Sequence, residues 1–200
     1  MADSTGKSPR RPPGTAERIL DIAQRMVQQR GYNALSYAEI AVELGIAKAS
    51  LHHHYPTKAS LGEALLRRHL ARSHALLAEI LASAQSPTAQ LTRFAEIYRY
   101  TLEQKLGCMC GIMLAEFPML PEPVQHLVRE FFALNEQWLA GVVSRGRAAG
   151  EISRSGGSDI ETARAFIGGL QGALLLARSQ GDAAVLCGTA NAMLAALKAK

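Results

Sequence analysis

No apolar run in the chain approaches the ~20 residues needed to span a bilayer. The first residues also lack the apolar centre of a signal peptide. Together these lead to the expectation of a cytoplasmic protein with no membrane partner. Cysteine is scarce: Cys108, Cys110 and Cys187 are an odd set and too few for a disulfide scaffold, so reduced thiols are expected. No glycine-rich phosphate loop, serine elbow or metal-ligand signature occurs, and no internal repeat or strand of any length is readable. An enzyme using Cys108 as nucleophile would need a paired base, and none stands at a recognisable spacing. The chain is therefore read as not an enzyme, without cofactor or metal.

What is present is an ordinary globular composition over 200 residues, 48% hydrophobic and 20% charged, enough to bury a sizeable core. The net charge of +5 is unevenly placed. Residues 1–70 hold 10 basic and 6 acidic side chains, a balance of +4, against 12 and 11, a balance of +1, over residues 71–200. A basic excess at one end is what a nucleic-acid-binding end needs, since phosphate neutralisation supplies non-specific affinity.

That end contains the stretch SYAEIAVELGIAKASLHHHYPTK, Ser36 to Lys58. Ser36 followed by Glu39 is a capping-box pattern, and Ile40, Ala41 and Leu44 share one helical face. Gly45 ends this helix, because glycine enters the left-handed region cheaply. A second helix begins at about Ala47, where Ala47, Lys48, Ala49 and Ser50 form a small or polar end able to approach base edges in a major groove. Leu51 faces inward, while His52, His53 and His54 sweep about 100° each around the helix. Three such neighbours diverge and do not converge on a metal, which needs ligands such as i and i+4. Pro56 stops the helix and Thr57 caps the next, placing Lys58 in a first turn suited to hold a phosphate.

In Ile40-Ala41, Gly45-Ile46, Leu51, His54, Tyr55-Pro56-Thr57-Lys58 and Leu61 the chain resembles the TetR family of bacterial transcriptional repressors. The likeness runs over roughly residues 15–80. Two positions depart from it: His52 stands where the family most often has a phosphate-touching tyrosine, and Tyr55 where phenylalanine is usual. The resemblance implies an all-α fold, with an N-terminal three-helix helix-turn-helix DNA-binding domain and a C-terminal helical ligand-binding and dimerisation domain. Its DNA contacts would come from Ser36, Tyr37, Ala47, Lys48, Ala49, Ser50, His52, His53, Tyr55 and Lys58.

In chain order, residues 1–14 are rich in Ser, Pro, Gly and basic side chains and read as a disordered basic tail carrying Lys7, Arg10 and Arg11. Residues 15–56 form the DNA-binding domain, opened by a helix that Thr15 caps and Gly31 closes, with Ile19, Ile22, Ala23, Met26 and Val27 as its apolar stripe. Residues 57–200 form the second domain. Its linking helix, 57–84, carries Leu61, Leu65, Leu66, Leu70, Leu76, Leu77, Ile80 and Leu81 at apolar positions. Helices follow over about 88–105, in a short segment after Gly107, over about 121–149, and in two closing helices joined at Gly181. Gly168, Gly169 and Gly172 lie inside the first of these two, and glycines there suggest close helix approach.

The family likeness makes the last two helices, about 159–198, a four-helix homodimer interface. It also suggests an effector pocket drawing on Tyr98, Tyr100, Cys108, Met109, Met113, Phe117, Trp138, Phe166 and Gln171, with His74, Arg99 and Glu116 as further polar groups. The expected function is a repressor bound to a palindromic double-stranded DNA operator and released by a small-molecule effector. One alternative makes Cys108 an electrophile-sensing thiol, because a helix start would lower its pKa. Another is a helical protein-binding adaptor. Salt-dependent DNA binding separates the first from the last.

Overall fold

The computed structural model describes residues 14–83 and 86–199. The expected basic tail with Lys7, Arg10 and Arg11 lies outside the described residues, apart from Gly14, and so does Ala84 at the expected end of the linking helix. Nine α-helices are described: α1 Thr15–Arg30, α2 Tyr37–Leu44, α3 Lys48–His54, α4 Lys58–Ser83, α5 Pro87–Glu103, α6 Met109–Ala115, α7 Glu122–Ala148, α8 Asp159–Gln180 and α9 Ala183–Leu197. A 3-10 turn, Phe117–Met119, follows α6. Extended pairing among the described residues is a single bridge between Ile152 and Lys198, so the fold is all-α. None of these helices is long and apolar enough to cross a membrane.

Local chemistry accounts for the helix ends, with three corrections to the sequence reading. The N-cap of α1 is Gly14, not Thr15, and no side chain caps it. At α2 only half of the capping box forms. Ser36 Oγ accepts from the Glu39 N–H at 3.3 Å, but the Glu39 carboxylate turns to the Arg30 guanidinium at 2.6 Å, a charged partner stronger than a backbone amide. Leu76 and Leu81 on α4 are solvent-exposed although they fall near the apolar register. Elsewhere the pattern holds. Thr57 and Ser60 cap each other's amides at the start of α4, both at 3.0 Å, and Ser158 with Glu161 makes a full capping box at α8. Gly45 sits at φ 66°, the left-handed turn between α2 and α3.

Two apolar cores are stacked along the molecule. The first joins α1 to α3 with the start of α4, through Ile19, Val27, Ile40, Leu51, Leu61 and Leu65. It also takes in Met109 and Met113 of α6, and Val124, Leu127 and Phe131 of α7. The boundary expected between residues 56 and 57 thus falls inside one continuous core. The second core packs α5, α7, α8 and α9 through Phe94, Leu139, Phe166, Leu170, Leu174 and Leu186. Two long helices run through both: α4 gives Leu61 to Leu70 to the first and Leu77 to the second, and α7 divides likewise. Close approach of the closing helices is present where expected, since a Cβ on Gly169 would collide with the Met193 thioether of α9. Gly168 and Gly172 face open space instead.

Candidate DNA interface and effector cavity

Helix α3 is held by one buried side chain, Leu51, and presents all its other residues outward. Ala47, Lys48, Ala49, Ser50, His52 and His53 are exposed together on this face. Tyr37 and Tyr55 have a different geometry. The Tyr37 hydroxyl shares its one proton between the carbonyls of Tyr55 (2.8 Å) and Thr57 (2.7 Å), pinning the α3–α4 connection. Burial pushes its pKa up to about 12, so it remains a donor. The Tyr37 ring lies 4.7 Å from the His52 ring, and His52 Nδ1 contacts the Pro56 carbonyl at 3.2 Å. Tyr55 reaches the Ala16 carbonyl at 3.4 Å, tying α3 to α1. The Lys58 ammonium donates to the Asn33 carbonyl at 2.8 Å and stands 5.2 Å from the Tyr32 ring centroid. Burial lowers the Lys58 pKa, and the Glu116 carboxylate opposes that shift. Glu116 in turn accepts from the Asn33 N–H at 3.1 Å, so the end of α6 and the first turn of α4 meet on one loop.

Between the two cores lies a cavity of about 380 Å³, walled by α1, α4, α5, α7 and the loop before α6. Of the residues expected to meet an effector, it brings together Tyr98, Tyr100, Cys108 and Met109. The others lie elsewhere. Met113 is buried in the first core and Phe166 in the second. Trp138 stacks behind Phe94, with ring centroids 5.8 Å apart. Phe117 and Gln171 line a separate surface groove between α7 and α8. Gln171 still bears on the cavity, because its amide donates to the Tyr98 hydroxyl (3.1 Å) and the Cys108 sulfur (3.2 Å). His74 is exposed, and Arg99 pairs with Glu103 on the surface.

The Cys108 thiol does not match its expected environment. Burial pushes its pKa up, and this outweighs the downward pull of Gln171 and of the backbone contacts at Gly111 and Cys110. A helix start with only seven residues behind it does not offset that desolvation.

The cavity also holds polar residues that the sequence reading passed over: Gln24 and Gln28 on α1, His69 and Arg72 on α4, and Asn135 on α7. Their signal was there to read, because His69 follows Leu65 by four residues and Asn135 follows Phe131 by four, polar side chains in apolar register. Gln28 clasps the loop before α6 twice. Its side-chain amide donates to the Gly107 carbonyl and its backbone carbonyl accepts from the Gly107 N–H, both at 3.0 Å. His69 stacks on Phe131 with centroids 5.1 Å apart, and its Nε2 is sealed from solvent without a hydrogen-bond partner.

Burial lowers the His69 pKa to about 4, reinforced by the Arg72 and Arg68 charges. An unfolded histidine protonates near 6.5. Between those values the unfolded chain binds more protons, so stability is complete above about pH 6.5 and falls as pH drops toward 4. The expected loss is on the order of 3 kcal/mol. Urea titrations across that range should show it in the wild type and a flatter profile in His69→Leu; identical profiles would remove His69 as the cause.

Comparison with known proteins agrees with this architecture. Residues 19–65 match the family model "Bacterial regulatory proteins, tetR family", and residues 87–193 match "Tetracyclin repressor-like, C-terminal domain". A TetR-family transcriptional regulator from Agrobacterium tumefaciens superposes with a TM-score of 0.89 at 33% identity, covering 92% of this chain and 97% of its own. One from Legionella pneumophila gives 0.84 at 31% identity, covering 93% and 98%. The HTH-type transcriptional repressor NemR of Escherichia coli K12 is 30% identical over 117 residues, 56% of this chain and 58% of that protein. The chain thus matches little more than half the length of that curated relative. With both halves matched in order, and a solved regulator superposed over nearly its whole length, the chain belongs to the TetR family of bacterial regulatory proteins.

Proposed function

We propose that the protein is a cytoplasmic, homodimeric transcriptional repressor that holds a palindromic DNA operator and is released from it by a small molecule bound in the cavity between the cores. The observation that carries this reading is the reach of α4. One unbroken helix has Lys58 in its first turn, beside the recognition helix, and His69, Arg72 and Leu76 on the cavity wall about three to five turns later. A displacement of that wall is therefore a displacement of the DNA-binding end.

In the proposed mode α3 enters the major groove with Ala47, Lys48, Ala49 and Ser50 toward the base edges. Ser36, His52, His53 and Lys58 lie toward phosphates, and Tyr37 and Tyr55 hold the frame from behind. Two copies, paired through α8 and α9, set their recognition helices about 34 to 36 Å apart, or a multiple of that. An effector in the cavity shifts α4 against α1 and the Gln28–Gly107 clasp and changes that spacing. Affinity falls because both half-sites can no longer be met, and by linkage the operator weakens effector binding equally.

Selection from a genomic fragment library at two salt concentrations tests the reading: it predicts enrichment of a palindrome, and a folded dimer that enriches no sequence at either salt overturns it. Lys58→Ala is expected to weaken binding to all sequences alike and to reduce the log–log salt slope by about one. A slope equal to wild type would leave Lys58 as a purely internal contact to Asn33 and Tyr32.

A further inference from the structure

The effector cavity has an uneven distribution of polar partners. Gln28, Tyr98, Thr101 and Asn135 on its wall each hydrogen-bond within the protein. His69 Nε2 does not, although it is shut off from water. A buried polar nitrogen without a partner is uncommon and calls for an explanation. Arg72 stands near it on the same helix. It donates one N–H to the Gln24 carbonyl at 3.2 Å, and its nearest carboxylate, Asp21, lies 4.0 Å away and is already engaged by Arg68 at 2.8 Å. A guanidinium carries five N–H donors, so Arg72 has donors to offer. No Asp or Glu is among the described residues lining the cavity. The rest of the wall is largely aromatic and aliphatic, with Phe94 and Phe131 among its rings.

We propose that the cavity takes an aromatic or similarly apolar molecule bearing one carboxylate, held by the Arg72 guanidinium and the unpartnered Nε2 of His69. The proposal rests on the effector reading of this cavity and names the ligand class. The apolar body fills the space against Phe94 and Phe131, and the acid group supplies the acceptor that His69 and Arg72 lack. The charged groups around His69 fit this sign. Arg68 and Arg72 come from α4; Glu17 and Asp21, on α1, turn toward Arg68; the wall residues of α5 and α7 contribute no charge. An amine in the same place would face the Arg72 charge, and the one carboxylate near that charge, Asp21, is already engaged by Arg68, so the ammonium would be poorly paired. An alcohol offers one uncharged oxygen in place of two charged ones, and so forms only neutral-acceptor contacts with these donors.

The protein contains one tryptophan, Trp138, stacked on Phe94 of the cavity wall, so its emission reports occupancy in the full-length dimer. Three probes that share one body are 4-phenylbutyrate, 4-phenylbutylamine and 4-phenylbutan-1-ol. The acid is expected to bind at least about tenfold more tightly than the other two, the yield of a charge-assisted pair over a neutral contact. Arg72→Gln, at a half-exposed site, should remove that preference without unfolding the chain, and the His69 ring nitrogen resonances should move with the acid alone. Equal binding of the three probes overturns the proposal. So does absence of saturable binding by the acid, or an acid preference that survives Arg72→Gln. Operator release measured with the same probes separates the two levels. If the alcohol releases DNA as well as the acid does, the ligand class is wrong and the repressor reading stands; if the unliganded dimer holds no palindrome, the repressor reading itself fails.

Discussion

Replacing Leu175 and Leu176 together by aspartate is expected to convert the proposed dimer to monomer and to lower operator affinity by about 10² to 10⁴. These two leucines are 47% and 54% exposed on the outer face of α8, in line with Gly168 and Gly172, where an added Cβ would meet nothing. On α9, Ala184, Gly188, Ala192 and Ala195 form a second exposed stripe of small residues. Two bulky apolar side chains beside shallow small-residue tracks make a surface that another copy can cover closely, and contiguous exposed apolar area of this kind marks an interface. In a two-fold interface each residue counts twice. Each is already about half buried, so its remaining burial yields roughly half of the ~1.5 to 3 kcal/mol of a fully exposed leucine, and the four together still supply several kcal/mol to such a dimer. Aspartates there would be buried without partners. Folding of the monomer should survive, because both positions already face outward. Sedimentation for the mass and fluorescence anisotropy on an operator fragment check this; a variant that stays dimeric with undiminished affinity would put the contact elsewhere.

The second large effect is expected of Leu51→Ala. Leu51 is fully buried and is the one residue by which α3 enters the core. Truncating a buried leucine costs about 2 to 5 kcal/mol, a sizeable part of the 5 to 15 kcal/mol that usually holds a domain together. A helix of seven residues has no stability of its own, so the loss falls first on α3. Specific binding should vanish while a dimer persists in solution. Leu51→Met, which nearly conserves volume and costs under about 1.5 kcal/mol, should bind the operator close to normally. If Leu51→Ala still selects its palindrome at wild-type affinity, α3 is not what reads DNA.

The DNA-binding half was legible because its signals are local. Gly45, Pro56 and the Thr57 cap mark boundaries by backbone chemistry alone, and Leu51 declares its burial by standing among polar neighbours. The half-formed box at Ser36 was not legible, because the ion pair between Glu39 and Arg30 depends on how α1 and α2 pack. The cavity was harder for the same reason. Trp138, Phe166 and Met113 are large and apolar, as wall residues are, yet they pack behind or away from the space. Apolar character tells that a side chain is buried, not against what. The wall is better announced by misfits: His69, Gln28 and Asn135 occupy apolar register and need a polar reason to be there. Cys108 shows that a helix start does not by itself set a pKa, since the hydrogen bonds at the start of α6 are outweighed by the burial of the thiol.

The continuous first core bears on anyone who would build a new sensor by joining this chain's DNA reader to a different receiver. A splice at residue 56 would cut through one packed unit. It would strip Leu61, Leu65, Met109, Met113, Val124 and Leu127 from behind Ile19, Ile40 and Leu51, and leave Gln28 with no Gly107 to clasp. The portable piece is not the first quarter of the chain. It is a composite that includes α6 and the first half of α7, and a graft succeeds where the incoming receiver brings an equivalent plug of its own.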